Sequence, residues 1–141
     1  MDAALSQLAL PHCLPTCANA RVALFAIRRM GAHGLADARA SHALLTAFGE
    51  GFRRPAMLMR AFVADLAGAA TQPIAIAPCC CPRATSAERA LLTVLASAET
   101  EPDKAGLLLA DVLGVRHADG VLASAAAVSA AFADAGRPID R

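Results

Sequence analysis

The chain has 141 residues, a length that fits a single domain, and 57% of them are hydrophobic while 18% are charged. This composition excludes a collagen-like chain, a coiled coil and an intrinsically disordered chain. The net charge is only +1, but eight arginines against four acidic residues give residues 1–83 a charge of +4, whereas five basic residues against eight acidic ones give residues 84–141 a charge of −3.

The predicted elements begin with an N-terminal arm over residues 1–15. Apolar residues at helical spacing predict a first helix over residues 16–30 and a second over residues 35–48. Two glycines mark the ends of these helices: Gly31 and Gly49. A third helix is expected to begin at Pro55, because proline is favoured in the first turn of a helix. It carries three apolar residues on one face: Leu58, Phe62 and Leu66.

An irregular segment follows, rich in proline and cysteine, which we name the cysteine loop (residues 68–84). Within it, residues 74–77 fit one short strand, although a proline closes the strand at either end. Thr85 and Glu88 then have the spacing of a capping box, in which each side chain bonds the other residue's backbone amide. This pattern predicts the start of a fourth helix directly after the loop.

Two further helices are predicted over residues 103–113 and 121–135, each ended by a glycine. No internal repeat and no low-complexity linker divides the chain, so residues 1–141 are expected to form one helical domain. The elements together predict an all-α fold: a compact bundle of about six helices with an irregular, cysteine-rich loop.

Three consecutive cysteines, Cys79, Cys80 and Cys81, stand between two prolines in the cysteine loop. Proline on both sides keeps this run out of a helix interior. If the run is extended, Cys79 and Cys81 point to one side and Cys80 to the other. The dipeptide Cys81–Pro82 also resembles the short haem-regulatory motif. The alternative is a packing role, since free cysteine is among the most buried residue types.

A second group of potential ligands lies near the N-terminus: His12 and Cys13 in the arm, and Cys17 in the first turn of the first predicted helix. If the arm packs against the cysteine loop, these two cysteines and two loop thiols would form a four-thiolate set suited to zinc or an iron–sulfur cluster. Neither group has the common ligand spacing of such sites, and redox or soft-metal sensing by the vicinal thiols is the competing interpretation. We therefore predict a thiol-based site with a metal-binding or redox-sensing role.

Arg53 and Arg54 lie immediately before the predicted third helix. Helix N-termini attract anions, and two guanidinium groups would strengthen that attraction. The sequence thus gives a separate hypothesis, in which a phosphate or carboxylate ligand binds at the start of this helix.

The common catalytic and nucleotide-binding motifs are missing from the sequence. We find no nucleophile elbow, phosphate loop or dinucleotide fingerprint, so the sequence favours a protein that is not an enzyme. Residues 109–115 resemble the turn of a helix-turn-helix regulator. The helix predicted after them has no arginine, lysine, asparagine or glutamine to read a base edge, and this half of the chain is acidic. Nucleic-acid binding is therefore not expected.

Alanine supplies 37 residues, about a quarter of the chain. Alanine favours helix but buries little area, so we expect a homo-oligomer in which a second copy completes the burial. A helical interaction module without catalytic activity, binding itself or another protein, is accordingly an alternative function. No secretory n-region and no apolar stretch of membrane-spanning length is evident, so we expect a cytoplasmic protein whose thiols stay reduced.

Three segments together resemble a known group of sequences: residues 28–31 (Arg-Arg-Met-Gly), residues 78–83 (Pro-Cys-Cys-Cys-Pro-Arg) and residues 113–115 (Leu-Gly-Val). The chain resembles an uncharacterised family of small bacterial proteins from Sphingomonas-type alphaproteobacteria, and the resemblance covers most of its length. This family has no known activity. The resemblance therefore implies a protein of unknown function and adds no catalytic residue.

Overall fold

A computed structural model describes residues 10–140 of the chain, so most of the predicted N-terminal arm (residues 1–9) lies outside the described residues. The described chain forms six α-helices: α1 (Ala18–His33), α2 (Ala38–Phe48), α3 (Arg53–Ala69), α4 (Ser86–Ser97), α5 (Pro102–Leu113) and α6 (Asp119–Asp134). A 3₁₀ turn, Gly49–Phe52, joins α2 and α3 into one kinked helical run, so these six helices make five separate runs. The prediction of an all-α fold is confirmed.

Two very short strands add a small antiparallel pair to the helices. Strand β1 (His12–Cys13) comes from the N-terminal arm and β2 (Arg83–Ala84) from the end of the cysteine loop. None of the helices in the described part of the chain is long and apolar enough to cross a membrane.

The core lies between one pair of helices that are distant in sequence and two pairs that are consecutive. Helix α3 packs along α6, α4 packs against α5, and α1 packs against α2. Phe62 of α3 and Phe132 of α6 are completely buried. The ring of Phe48 meets that of Phe132 edge-on, with centroids 4.8 Å apart and an interplanar angle of 78°, which is a favoured aromatic geometry. Large apolar side chains therefore supplement the many alanines.

The predicted end of the first helix at Gly31 is wrong, because α1 continues to His33 and ends at Gly34. Gly34 has a φ of 104°, a conformation that side chains rarely adopt. Gly31 serves packing instead. A Cβ at this position would lie 2.8 Å from Cδ1 of Ile76, so the missing side chain lets the cysteine loop lie close against α1.

The short strand predicted at residues 74–77 is also wrong. Side chains, not a neighbouring strand, satisfy two backbone groups of this segment. The Thr85 hydroxyl donates to the Ala75 carbonyl at 2.7 Å, and the Ala77 amide donates to the Glu88 carboxylate at 3.2 Å. The Ala75 carbonyl and the Ala77 amide therefore have hydrogen-bond partners without pairing to another strand. The irregular stretch is slightly shorter than predicted and runs over residues 70–82.

The capping box predicted before the fourth helix is confirmed. The Thr85 side chain accepts from the Glu88 amide at 3.0 Å, and the Glu88 carboxylate accepts from the Thr85 amide at 2.9 Å. Helix α2 starts later than predicted because the Asp37 side chain caps it, accepting from the Ala40 amide at 3.0 Å. The first cap fixes the start of the helix that follows the cysteine loop, and the second fixes the start of α2.

Candidate functional site

The N-terminal arm packs against the end of the cysteine loop. Strands β1 and β2 align His12 with Ala84 and Cys13 with Arg83. The Arg83 guanidinium reaches back across this pair and donates to the Leu10 carbonyl at 3.3 Å and to the Cys13 sulfur at 3.3 Å. The contact that a joint metal site would need is therefore formed.

The four-thiolate set predicted for zinc or an iron–sulfur cluster is nevertheless not assembled. Nowhere in residues 10–140 do three or more His, Cys, Asp or Glu side chains group as metal ligands. The register explains why: Cys13 lies opposite Arg83, two residues beyond Cys81, and Cys81 is itself buried in the protein. Cys17 points elsewhere, with its sulfur 3.9 Å from the Pro138 carbonyl.

His12 does not join the thiols either. Its Nε2 lies 3.5 Å from the Ser86 hydroxyl at the start of α4. Cys17 is the N-cap residue of α1 and is half-buried. The arm residues thus anchor the arm to α4 and to the C-terminal segment, and they leave the loop cysteines without further ligands among the described residues.

A buried ion pair between two helices holds the cysteine loop in place. Arg28 of α1 meets Glu88 of α4 through two bonds, Nε to Oε2 at 2.7 Å and Nη2 to Oε1 at 3.0 Å, and both side chains are almost wholly inaccessible to solvent. The same guanidinium donates to the carbonyls of Cys81 at 3.0 Å and Arg83 at 2.7 Å. This bidentate geometry holds the loop to two helices at once.

The Glu88 carboxylate also binds the backbone on the other side of the three cysteines. Besides the two bonds from Arg28, its carboxylate accepts from the amides of Ala77 and Thr85. A carboxylate with several donors can remain charged in a buried position. The loop is therefore tied on both sides of its three cysteines, at Ala77 before them and at Cys81 and Arg83 after them.

The three cysteines do not alternate as an extended run would. The chain turns at Cys79 and Cys80, and the Cys81 amide donates to the Pro78 carbonyl at 3.0 Å. The turn places Cys79 and Cys80 on the accessible side and buries Cys81. The arrangement expected of an extended run, with Cys79 and Cys81 on one side, is therefore not formed, and the residues brought together are Cys79 and Cys80, whose sulfur atoms are 3.4 Å apart. We name these two residues the thiol pair.

The surroundings of the thiol pair shift the pKa values of Cys79 and Cys80 in opposite directions. The hydrogen bond with Cys80, followed by a hydrogen bond and the positive charge of Arg29, holds the pKa of Cys79 below its ordinary value. The charge of Arg39 acts in the same direction. The same contact with Cys79 raises the pKa of Cys80. One thiolate is thus favoured at Cys79 beside a protonated Cys80.

Arg29 is itself held in place by Asp37. The carboxylate accepts from Nε at 3.0 Å and from Nη2 at 2.8 Å. This interaction raises the pKa of Arg29 and lowers the pKa of Asp37 to about 2. The third guanidinium nitrogen is not used in the pair with Asp37, so the cation is oriented yet retains donor capacity toward the thiol pair.

A cleft of about 470 Å³ opens beside the thiol pair, and we name it the thiol cleft. Its lining joins polar and apolar groups: Arg28, Arg29, His33, Ile76, Pro78 and Cys79 are among the residues that form it. This volume is in the range of small-molecule sites. A reactant can therefore approach Cys79 from a shaped cleft and not only from open solvent.

The anion site expected at Arg53 and Arg54 is not supported. Both residues are exposed, and Arg54 pairs with Asp134 of α6 at 3.0 Å. The two side chains of this pair are 59% and 65% accessible, so the arginine points outward and already has a carboxylate partner. The helix also begins at Arg53 itself, so the arginines occupy its first turn and do not precede it.

Sequence reasoning missed the residues that organise the thiol pair. Arg29 lies on α1 and Asp37, eight positions later, is the N-cap residue of α2, and no spacing rule links them to Cys79. Glu88 was identified only as a capping residue, although a carboxylate that caps a helix is also a candidate partner for a distant arginine. The Arg28–Arg29 dipeptide within an apolar helix was the one available signal, since buried arginine needs a partner.

Comparison with known proteins relates the chain to a family. Neither the search of curated proteins nor the search of solved structures returned a match. A family model matches residues 2–135, which is nearly the whole chain, and its description is a family of unknown function (DUF6628). The protein therefore belongs to this family of unknown function, DUF6628.

Proposed function

We propose that the thiol pair is a redox switch, which hydroperoxides oxidise to a Cys79–Cys80 disulfide and cellular thiols reduce again. The observation that carries this proposal is the 3.4 Å separation of the sulfur atoms of half-buried Cys79 and exposed Cys80, next to the oriented Arg29. The thiolate is the nucleophilic form of cysteine, and an adjacent cation favours it. Cys79 is accordingly the attacking group and Cys80 the resolving thiol.

The reaction balances in two steps. The Cys79 thiolate attacks one oxygen of the hydroperoxide, the O–O bond breaks, and the departing oxygen takes a proton, which gives a sulfenic acid and an alcohol or water. The Cys80 sulfur then attacks the Cys79 sulfur, and the hydroxyl leaves as water with the proton from Cys80. Two thiols lose two electrons in total, and the hydroperoxide gains them.

The position of the two cysteines in sequence favours an easily reversed disulfide. Adjacent Cα atoms are about 3.8 Å apart, shorter than the separation of about 4.4–6.8 Å that ordinary disulfides span. A disulfide between neighbours is therefore strained, and strained disulfides are more readily reduced. This property suits a regulatory switch better than a structural crosslink.

The test is oxidation of the reduced full-length protein with hydrogen peroxide, followed by peptide mass spectrometry. We expect loss of two hydrogens on the peptide that contains Cys79 and Cys80, reversed by dithiothreitol. Cys80→Ser should stop at a sulfenic acid that dimedone traps on Cys79, whereas Cys79→Ser should slow oxidation of the loop.

Cys13 provides the matched control within the same molecule. It is exposed and lies 3.3 Å from an arginine nitrogen, but no second thiol is paired with it among the described residues. Cys13→Ser should leave oxidation of the loop unchanged. Equal reactivity of Cys13 and Cys79, with no disulfide between Cys79 and Cys80, would overturn the proposal.

A further inference from the structure

A second cleft adjoins the thiol cleft. It measures about 340 Å³, and its lining is mostly apolar: Ile27, Val63, Leu66, Ala67, Ile74 and Leu91 are among its residues. We name it the apolar cleft. Gly31, Ile74 and Ile76 line both clefts, so the two meet at the point where the loop lies on α1.

Ile76 lies where the two clefts meet, because it lines both of them. Its Cδ1 atom occupies the space left by the missing Cβ of Gly31, 2.8 Å from the position that this Cβ would take. A different rotamer of Ile76 would change the connection between the clefts.

The two clefts differ in chemical character. The thiol cleft carries Arg29, His33 and the Cys79 sulfur, whereas the apolar cleft is formed by aliphatic side chains of α1, α3 and α4. A ligand that fits both has a polar reactive end and an apolar body. Hydrogen peroxide uses only the first cleft, while a larger molecule gains from burying apolar area in the second.

We propose that the oxidant of the thiol pair is an organic hydroperoxide whose apolar body lies in the apolar cleft and whose O–O group reaches Cys79. This proposal rests on the redox function proposed above and names its substrate class. The bond changes are those given there: the Cys79 sulfur takes the outer oxygen, and the organic part leaves as an alcohol after protonation.

The experiment compares oxidation rates of the reduced, full-length protein by cumene hydroperoxide and by hydrogen peroxide, with disulfide formation followed by mass spectrometry. Cumene hydroperoxide is expected to react at least about tenfold faster, the size of effect that a methylene-scale apolar contact gives. Ala67→Leu adds three carbons to the apolar cleft and should remove most of this preference, leaving the hydrogen peroxide rate unchanged.

Ala64→Leu is the matched control, because Ala64 is an exposed alanine of the same helix that does not line the cleft. It should leave both rates unchanged. If hydrogen peroxide forms the disulfide and cumene hydroperoxide reacts no faster, the substrate class is wrong while the redox switch stands. If neither oxidant forms the disulfide, the redox function fails, and the inference fails with it.

Discussion

Replacement of Arg28 by methionine tests whether the buried ion pair holds the cysteine loop in place. The substitution keeps an unbranched apolar stem but removes four hydrogen bonds, two to the Glu88 carboxylate and one each to the carbonyls of Cys81 and Arg83. Glu88 remains as a buried charge with no access to solvent and without its cation. The loss of one partner of a buried pair costs about 3–5 kcal/mol.

A urea unfolding curve measures this loss in the free energy of unfolding. A loss of about 4 kcal/mol changes the unfolding equilibrium by roughly a thousandfold. With an m-value of about 2 kcal/mol/M, the midpoint should fall by roughly 2 M while the slope stays the same. The whole domain is expected to be stable by about 5–15 kcal/mol, so the variant should still fold in water but with little reserve.

A second variant separates the unpaired charge from the lost hydrogen bonds. In the Arg28→Met background, Glu88→Gln removes the charge and keeps an oxygen that accepts from the backbone amides at Ala77 or Thr85. The double variant should therefore be more stable than Arg28→Met alone. Arg54→Met is the control, since its exposed pair with Asp134 should contribute less than about 1 kcal/mol.

The loop itself provides a local readout of the same perturbation. Cys81 is 4% exposed in the intact protein, and its carbonyl loses a donor when Arg28 is replaced. Alkylation of Cys81 under native conditions should become measurable in Arg28→Met. A variant within about 1 kcal/mol of the wild type, or a double variant less stable than the single one, would refute the assignment of a stabilising buried pair.

Three further predictions address other parts of the molecule. Because the pKa of Asp37 is lowered to about 2, its contribution to stability is complete above the ordinary value of 3.8 and is lost as the pH falls through about 2; Asp37→Asn, which keeps the helix cap, should abolish this dependence in pH-resolved unfolding. Ile76→Val removes Cδ1, so Gly31→Ala should stabilise that background by about 1 kcal/mol in urea unfolding, but less in the wild type. Self-association is expected from the alanine-rich core, and Leu107, which is 75% exposed, is the most accessible large apolar side chain of the described residues; Leu107→Glu should weaken it in sedimentation velocity, and a wild-type monomer at all concentrations would remove the expectation.

Elements whose signals are local were predictable from the sequence. The capping box at Thr85 and Glu88, the apolar face of α3 and the glycine that ends α5 depend on residues a few positions apart. The end of α1 was mispredicted because Gly31 has two possible uses, a helix end and a close contact. Only the distant Ile76, which no local pattern identifies as its neighbour, decides between them.

In the candidate site, too, the sequence indicated the local feature but not the contacts between residues distant in sequence. The unusual run of three cysteines singled out this loop, but the sequence could not show which thiols lie together. An extended run would place Cys79 and Cys81 on one side, whereas the turn brings Cys79 and Cys80 together. The residue that ends this turn is held by Arg28, which donates to the Cys81 carbonyl from a helix more than fifty residues away.

The buried cysteine therefore has a definite role beside the two accessible ones. Cys81 is the point at which the loop is fixed, through its buried side chain and its bond to Arg28. A fixed residue immediately after the turn limits how far Cys80 can move away from Cys79. Three cysteines in a row thus divide into one anchor and two reactive thiols. Reactivity at Cys79 should depend on Arg28, because this arginine binds the loop backbone at Cys81 and so fixes the turn that holds the two sulfur atoms together.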